Sequence, residues 1–252
     1  MDVRANRKTS VKQYLIDKTQ RESLLYSSLI ELKYNFAKSV NLKNRLFRRR
    51  KISRYLADHP VSKLHLGAGS GKYGEASTTH LSEFLNTDIL GEIPIDITKR
   101  LPFEDNSIDL IFSSHLVEHI YNRQFKRFLA DTLRILKKGG TQIIATPSLE
   151  KLCRSLYGED EPSKRAIYET HAGKITGRTL TPAIVINGMM HINYGHKYLY
   201  DYETIDTLAR EIGYRSVFRV ENARVPDEAV RRFLIQKGPS YEAETEIFLL
   251  MK

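Results

Sequence analysis

Apolar residues between positions 23 and 40 recur with helical spacing. Leu25, Leu29, Leu32, Phe36 and Val40 fall on one stripe with Lys33 and Lys38 off it, which predicts an amphipathic helix. From Val61 the pattern changes to short apolar runs separated by helical stretches. Leu64 to Leu66, Phe84 to Leu85, Ile108 to Phe112 and Ile143 to Ala145 read as strands of a parallel α/β sheet, with Gly139-Gly140 marking a turn into the last. A helix is expected from Asp201 to Ile212, with Asp201 as its N-cap. Two later β-like runs, Ser216 to Val220 and Glu246 to Met251, are expected to form a terminal hairpin.

Composition narrows this picture. With 252 residues, 41% hydrophobic and 28% charged, the chain suits one large domain carrying an extension. No stretch approaches the roughly 18 uncharged apolar residues of a membrane span. Arg4, Arg7 and Lys8 are followed by no apolar run, so a signal-peptide core is lacking and a cytoplasmic location is expected. The single cysteine, Cys153, excludes an internal disulfide and a Cys-rich zinc site.

The charge of +10 is concentrated. Residues 1–60 hold 15 of the 40 basic residues and 5 of the 30 acidic ones, so 61–252 is balanced at 25 of each. Seven cations and no acid lie between Lys43 and Arg54, interleaved with Leu46, Phe47 and Ile52. We divide the chain into a basic helical extension, 1–60, and a neutral domain, 61–252. The extension suits packing on the domain or on a second copy in a homo-oligomer. It also suits an anionic membrane surface, which attracts about 1 kcal/mol per basic residue, or a nucleic-acid backbone. The apolar stripe favours lipid or a partner helix, and no nucleic-acid module is recognisable, so the protein is expected in the cytoplasm with a peripheral membrane contact.

The segment Leu64-His65-Leu66-Gly67-Ala68-Gly69-Ser70-Gly71 runs an apolar strand into Gly-x-Gly-x-Gly. Glycine lets the backbone turn sharply and lets a ligand approach without a Cβ in the way. Asp88, about twenty residues on, closes the next strand-like run, where a carboxylate can accept from both ribose hydroxyls. The two features together point to nucleoside binding. The plainer reading is a tight structural turn with Asp88 capping a helix.

The neutral domain resembles the class I S-adenosylmethionine-dependent methyltransferases, and specifically their type 11 group. The run Ile95-Asp96-Ile97 followed by Leu101-Pro102-Phe103-Glu104-Asp105-Asn106-Ser107-Ile108-Asp109-Leu110-Ile111 is similar to the group's "D…LPF.D.SFDLI". Ser114-His115-Leu116-Val117-Glu118-His119-Ile120 and Leu133-Arg134-Ile135-Leu136-Lys137-Lys138-Gly139-Gly140 resemble its post-strand turn and "L.R.LKPGG". Gly195 to Thr204 resembles a branch associated with glycosyltransferases and surface-polysaccharide synthesis. The resemblance implies a doubly wound, seven-stranded, mostly parallel Rossmann-like sheet that binds S-adenosylmethionine. It implies that Gly67, Ala68, Gly69 and Gly71 wrap the methionine end, Asp88 holds the ribose, Asp96 and Ile97 face the adenine, and Ser113 and Ser114 border the sulfonium. The chain departs from the family at His65, where many members carry an acid. Only twelve residues separate Gly71 from Phe84, so the first crossover helix must be short or irregular.

Methyl transfer from a sulfonium needs alignment more than activation, and no metal is intrinsically required. A hydroxyl acceptor needs a base within hydrogen-bond reach. His115, Glu118 and His119 lie at i, i+3 and i+4, which share a helical face, and the resemblance puts that face beside the cofactor. A metal held by His115, Glu118 and a third group is an alternative use of the same residues. Residues from about 148 to 198 exceed what the core fold requires, forming an acceptor cap with His196, Tyr198 and Tyr200 as expected substrate contacts. The expected reaction is O-methylation of a sugar hydroxyl in a cell-surface polysaccharide or glycolipid precursor, or of a related small molecule. Two other readings are an RNA methyltransferase that grips its substrate through the basic region, and a binding module that keeps the fold without turnover.

Overall fold

A computed structural model of the protein describes Leu32, Phe36 and residues 41–69, 80–172, 180–193 and 195–252. Most of the predicted N-terminal amphipathic helix lies outside the described residues, as do Ser70 and Gly71.

The first described helix, α1 (Leu42–Asp58), is followed by β1 (Lys63–Leu66), β2 (Leu85–Thr87) and β3 (Ile108–Ser114). A 3-10 turn, Val117–His119, leads into α2 (Asn122–Ile135) and the long β4 (Leu136–Pro147). Then come α3 (Leu149–Tyr157), α4 (Glu161–His171), α5 (Pro182–Asn187) and a π-helical turn, Gly188–Asn193. The chain finishes with α6 (Tyr202–Ile212), β5 (Ser216–Val220), α7 (Glu228–Gln236), α8 (Pro239–Glu244) and β6 (Thr245–Met251).

The strands form one sheet in the order β2-β1-β3-β4-β6-β5. The first four are parallel, and β6 runs antiparallel to both neighbours. Two expectations are corrected here. Six strands are present among the described residues, not seven: beyond β2 the chain makes a single bridge, Asp88 to Pro94. Proline offers no N–H to a ladder, so pairing stops there. The final runs do pair, from Ser216 with Met251 to Val220 with Ile247, but α7 and α8 intervene and β6 slots beside β4. They are neighbours without being a hairpin.

Strand alternation places helices on both faces. Leu64, Leu66, Ile111, Ile144 and Phe248 pack against Phe125, Phe128 and Leu129 of α2 and Ile205 and Ala209 of α6. Phe112, Ile143, Ala145 and Ile247 face the other way, onto Val230 and Leu234 of α7. Each buried side chain of this size contributes about 1.5–3 kcal/mol. Asp201 caps α6 as expected, accepting from Thr204 N at 2.9 Å. A third cluster, Leu152, Leu156, Ile167, Val185, Met189 and Ala243, joins α3, α4, α5 and the π-helical turn to α8. The extra segment therefore has its own small core above the carboxyl ends of the strands.

Helix α1 docks through Ile52, Tyr55 and Leu56, which pack on the main core, and through polar groups. Asn41 Nδ2 donates to Gly91 O, Arg48 Nη1 to Pro94 O and Tyr55 OH to Lys63 O, and only Ile52 is buried. Leu42, Leu46 and Phe47 are left on the outside.

Candidate active site

One end of the cleft is made largely of main chain. Leaving β1, the backbone turns through Gly67 at φ +75° and Gly69 at φ +76°, a region that side chains disfavour. A Cβ at Gly67 would stand 2.9 Å from Leu116 Cδ1, so the turn is closed to larger residues. Ala68 N donates to Thr87 O at 2.9 Å, tying the loop to the end of β2. The Asp88 carboxylate then meets the loop directly, accepting from Gly69 N at 3.3 Å and from Leu90 N at 2.9 Å.

Further along this end, Asp96 Oδ1 accepts from Thr98 N and Thr98 Oγ1, while the Ile97 side chain is buried in the core and leaves only its main chain to a ligand. Ile89, Ile95 and Asp96 form a cavity of about 140 Å³ with Arg45 and Arg48 of α1. At the tip of β3, Ser113 is buried with its hydroxyl lacking a hydrogen-bond partner, as a site built for an external polar group would have it. The open glycine turn, the adjoining carboxylate and this hydroxyl fit an adenosyl sulfonium. Ser114 is committed to the protein, its hydroxyl 2.8 Å from Tyr241 OH. Gly71 lies outside the described residues.

His65, the departure from the family pattern, does not face this loop. It is fully buried on the opposite side of the sheet, 4.9 Å from the Phe112 ring. Its Nδ1 donates to Asn86 Oδ1 at 3.2 Å, an oxygen that also accepts from Leu81 N. Burial pushes its pKa down to about 4.

The other end is made of side chains. His115 follows β3 at φ +48°, unusual for a residue with a Cβ. Its Nε2 shares a 2.8 Å hydrogen bond with the Thr245 hydroxyl and its ring stacks on Tyr241 at 4.8 Å. Burial and the nearby His119 and Lys237 hold the imidazole neutral, with 29% of the side chain still exposed. Glu118 is fully buried, with Oε2 accepting from Thr146 Oγ1 at 3.1 Å and Oε1 accepting no hydrogen bond. Burial pushes its pKa up to about 8.

The expected shared helical face is corrected by the geometry. Val117–His119 is a 3-10 turn, in which residues three apart eclipse. His115, in the bend before this turn, places Nδ1 within 3.6 Å of Glu118 Oε1, while His119 swings to the exposed side and meets the His196 ring edge-on at 4.9 Å. Lys197 N and Tyr198 N both donate to Glu118 O, pinning this segment of the cap to the turn. The ligand atoms of Glu118, His119 and His196 lie within 4.8 Å of one another.

A pocket of about 260 Å³ opens here, lined by His115, His171, His196, Lys237, Tyr241 and Glu244 among others. His171 Nε2 is 2.9 Å from Glu244 Oε2. Of the three expected substrate contacts, His196 is on this wall. Tyr200 is a correction: it is fully buried between Phe125 and Tyr198, and its hydroxyl has no partner. Tyr198 packs on the same core. Sequence reasoning missed Lys237, Ser240, Tyr241 and Glu244. The available signal was Gly238-Pro239 opening a short helix on which Tyr241 and Glu244 fall three apart.

Residues 64–144 match the family described as a methyltransferase domain. No curated protein matches the chain. Among solved structures, a SAM-dependent methyltransferase from Archaeoglobus fulgidus is 17% identical, with a TM-score of 0.45 over 90% of this chain and 100% of its own. A SAM-dependent methyltransferase from Thermotoga maritima is 18% identical, with a TM-score of 0.46 over 86% of this chain and 98% of its own. The CurJ carbon methyltransferase is 14% identical, with a TM-score of 0.42 over 76% of this chain and 48% of its own. The match gives residues 64–144 a methyltransferase domain, with S-adenosylmethionine indicated as its cofactor.

Proposed function

Starting from an S-adenosylmethionine-dependent methyltransferase, we propose that this chain O-methylates a sugar hydroxyl of a surface polysaccharide or of its lipid-linked precursor. The observation that carries the reading is the neutral His115 imidazole on the wall of the 260 Å³ pocket, at the carboxyl ends of β3 and β4. His171, Lys237, Ser240 and Glu244 surround the same space, and such a lining suits a polyhydroxylated ring better than an apolar acceptor.

The bound cofactor supplies an electrophilic methyl group. The protein's share is to hold, orient and deprotonate. Gly67, Ala68 and Gly69 present main chain, Asp88 takes the ribose, Asp96 and the Ile97 main chain take the adenine edge, and Ser113 borders the reacting end. His115 accepts the hydroxyl proton while the Thr245 hydrogen bond and the Tyr241 stack fix its ring. Incubating the enzyme with methyl-labelled cofactor and separated glycan and RNA fractions tests the acceptor. Label in glycan is expected; label confined to RNA rejects it and favours the nucleic-acid reading.

The exposed face of α1 supports a membrane-proximal acceptor. Leu42, Leu46 and Phe47 are 58%, 72% and 50% exposed, and Lys43, Arg49, Arg50 and Arg54 flank them. Seven cations without an acid repel a second copy of the same helix and attract anionic lipid. Vesicles of mixed phosphatidylserine and phosphatidylcholine should co-sediment the protein, and Arg49→Glu/Arg50→Glu should abolish this. Equal binding to pure phosphatidylcholine removes the charge argument, and a dimer in sedimentation assigns the face to a second copy instead.

A further inference from the structure

We propose that Glu118, His119 and His196 form a binding site for one divalent transition-metal ion of the zinc class, joining the turn after β3 to the acceptor cap. The site is independent of which acceptor the enzyme uses.

Three observations converge on it. The first is chemical. Two imidazoles and one carboxylate match the donor set by which proteins hold a catalytic zinc ion while leaving a fourth position open. Magnesium and calcium favour all-oxygen surroundings, so the two histidines select against them.

The second is geometric. The ligand atoms already lie within 4.8 Å of one another, whereas a tetrahedral ion at about 2.0–2.1 Å from each needs them roughly 3.4 Å apart. The closure required falls to His119, the exposed one of the three. Glu118 and His196 are 0% and 6% exposed and cannot turn far. Their relative position is set by main chain, since Lys197 N donates to Glu118 O at 2.6 Å. Two ligands are thus held and the third is adjustable.

The third is an energetic vacancy. Glu118 Oε1 is completely buried and accepts no hydrogen bond. An isolated buried carboxyl oxygen is costly unless it is paired or coordinates a cation. The nearest nitrogen on the opposite side, His115 Nδ1, stands 3.6 Å away, beyond hydrogen-bond range.

The site would bind across two segments far apart in sequence, the 3-10 turn and the cap at His196. Metal loading should therefore order the cap over the pocket as well as fill the turn.

The test uses the full chain without an affinity tag, stripped with chelator and titrated with zinc chloride in a calorimeter. One equivalent is expected to bind, and His119→Ala and His196→Ala are each expected to weaken it by tenfold or more. His119 is exposed, so its variant reports on metal without disturbing the core; Glu118→Gln, nearly isosteric, supplies the third arm. Cobalt substitution should give the intense visible absorption of a four-coordinate ion, lost in each variant. Absence of stoichiometric zinc binding to the wild type overturns the proposal, and so does binding that survives both histidine substitutions.

Discussion

The two ends of the cleft are built on opposite principles. At the glycine end, position is set by backbone conformation: two positive-φ glycines, a main-chain bond from Ala68 to Thr87, and one carboxylate reaching across the loop. At the histidine end, side chains from the segment after β3, α4, residue 196 of the cap, and α8 line one pocket. A common cofactor needs a fixed cradle, which the backbone supplies at low cost in sequence. An individual acceptor needs side chains, and these can be exchanged without altering a turn built of main chain.

Substitutions should separate these two ends. The largest effect is expected from His115→Ala, which should lower kcat by about 10²–10⁴-fold while cofactor affinity measured by calorimetry stays unchanged. A parallel loss of cofactor binding would show that the ends are not separable. Next, acidification should weaken the fold through His65, on the far face of the sheet from both. Its folded pKa of about 4 lies below the ordinary 6.5, so the unfolded chain binds the proton first. Stability is full above about pH 6.5 and declines toward pH 4, by up to about 3 kcal/mol. Chemical denaturation of His65→Phe should show a flatter acid limb, and an identical limb would assign the loss to other groups.

Asp88→Ala should weaken S-adenosylmethionine binding by about 1.5–3 kcal/mol, the range for hydrogen bonds to a charged group. Acceptor KM should be untouched once cofactor saturates; a shift there would mean the carboxylate also organises the far end. The smallest effect belongs to Tyr200→Phe. Removing a buried hydroxyl that has no partner should change stability by less than about 1 kcal/mol and leave KM alone. A large rise in KM would return Tyr200 to the pocket wall.

Some of this site could be read along the chain and some could not. Gly67, Gly69 and Asp88 declare themselves because each answers a local backbone demand at fixed spacing from a strand. The 3-10 form of the turn after β3 escaped, since spacing alone suits either kind of helix, and His196, which meets His119 there, is 77 positions away. Tyr198 and Tyr200 alternate as pocket residues would, yet Tyr200 lies against Phe125 from α2, a neighbour more than seventy positions away. Tyr241 and Glu244 were passed over because their partners, Ser114 and His171, are 127 and 73 residues distant.

Hydrophobic spacing and glycine placement were enough to determine an α/β domain and a tight turn after its first strand, because periodicity and φ preference act over a few residues. Tertiary packing alone decided that regular pairing beyond β2 stops at Pro94, that α1 leaves Leu42, Leu46 and Phe47 exposed, and which histidines meet Glu118. Those outcomes depend on contacts between elements remote in sequence, where burial and unsatisfied polar groups are settled by what the folded neighbours provide.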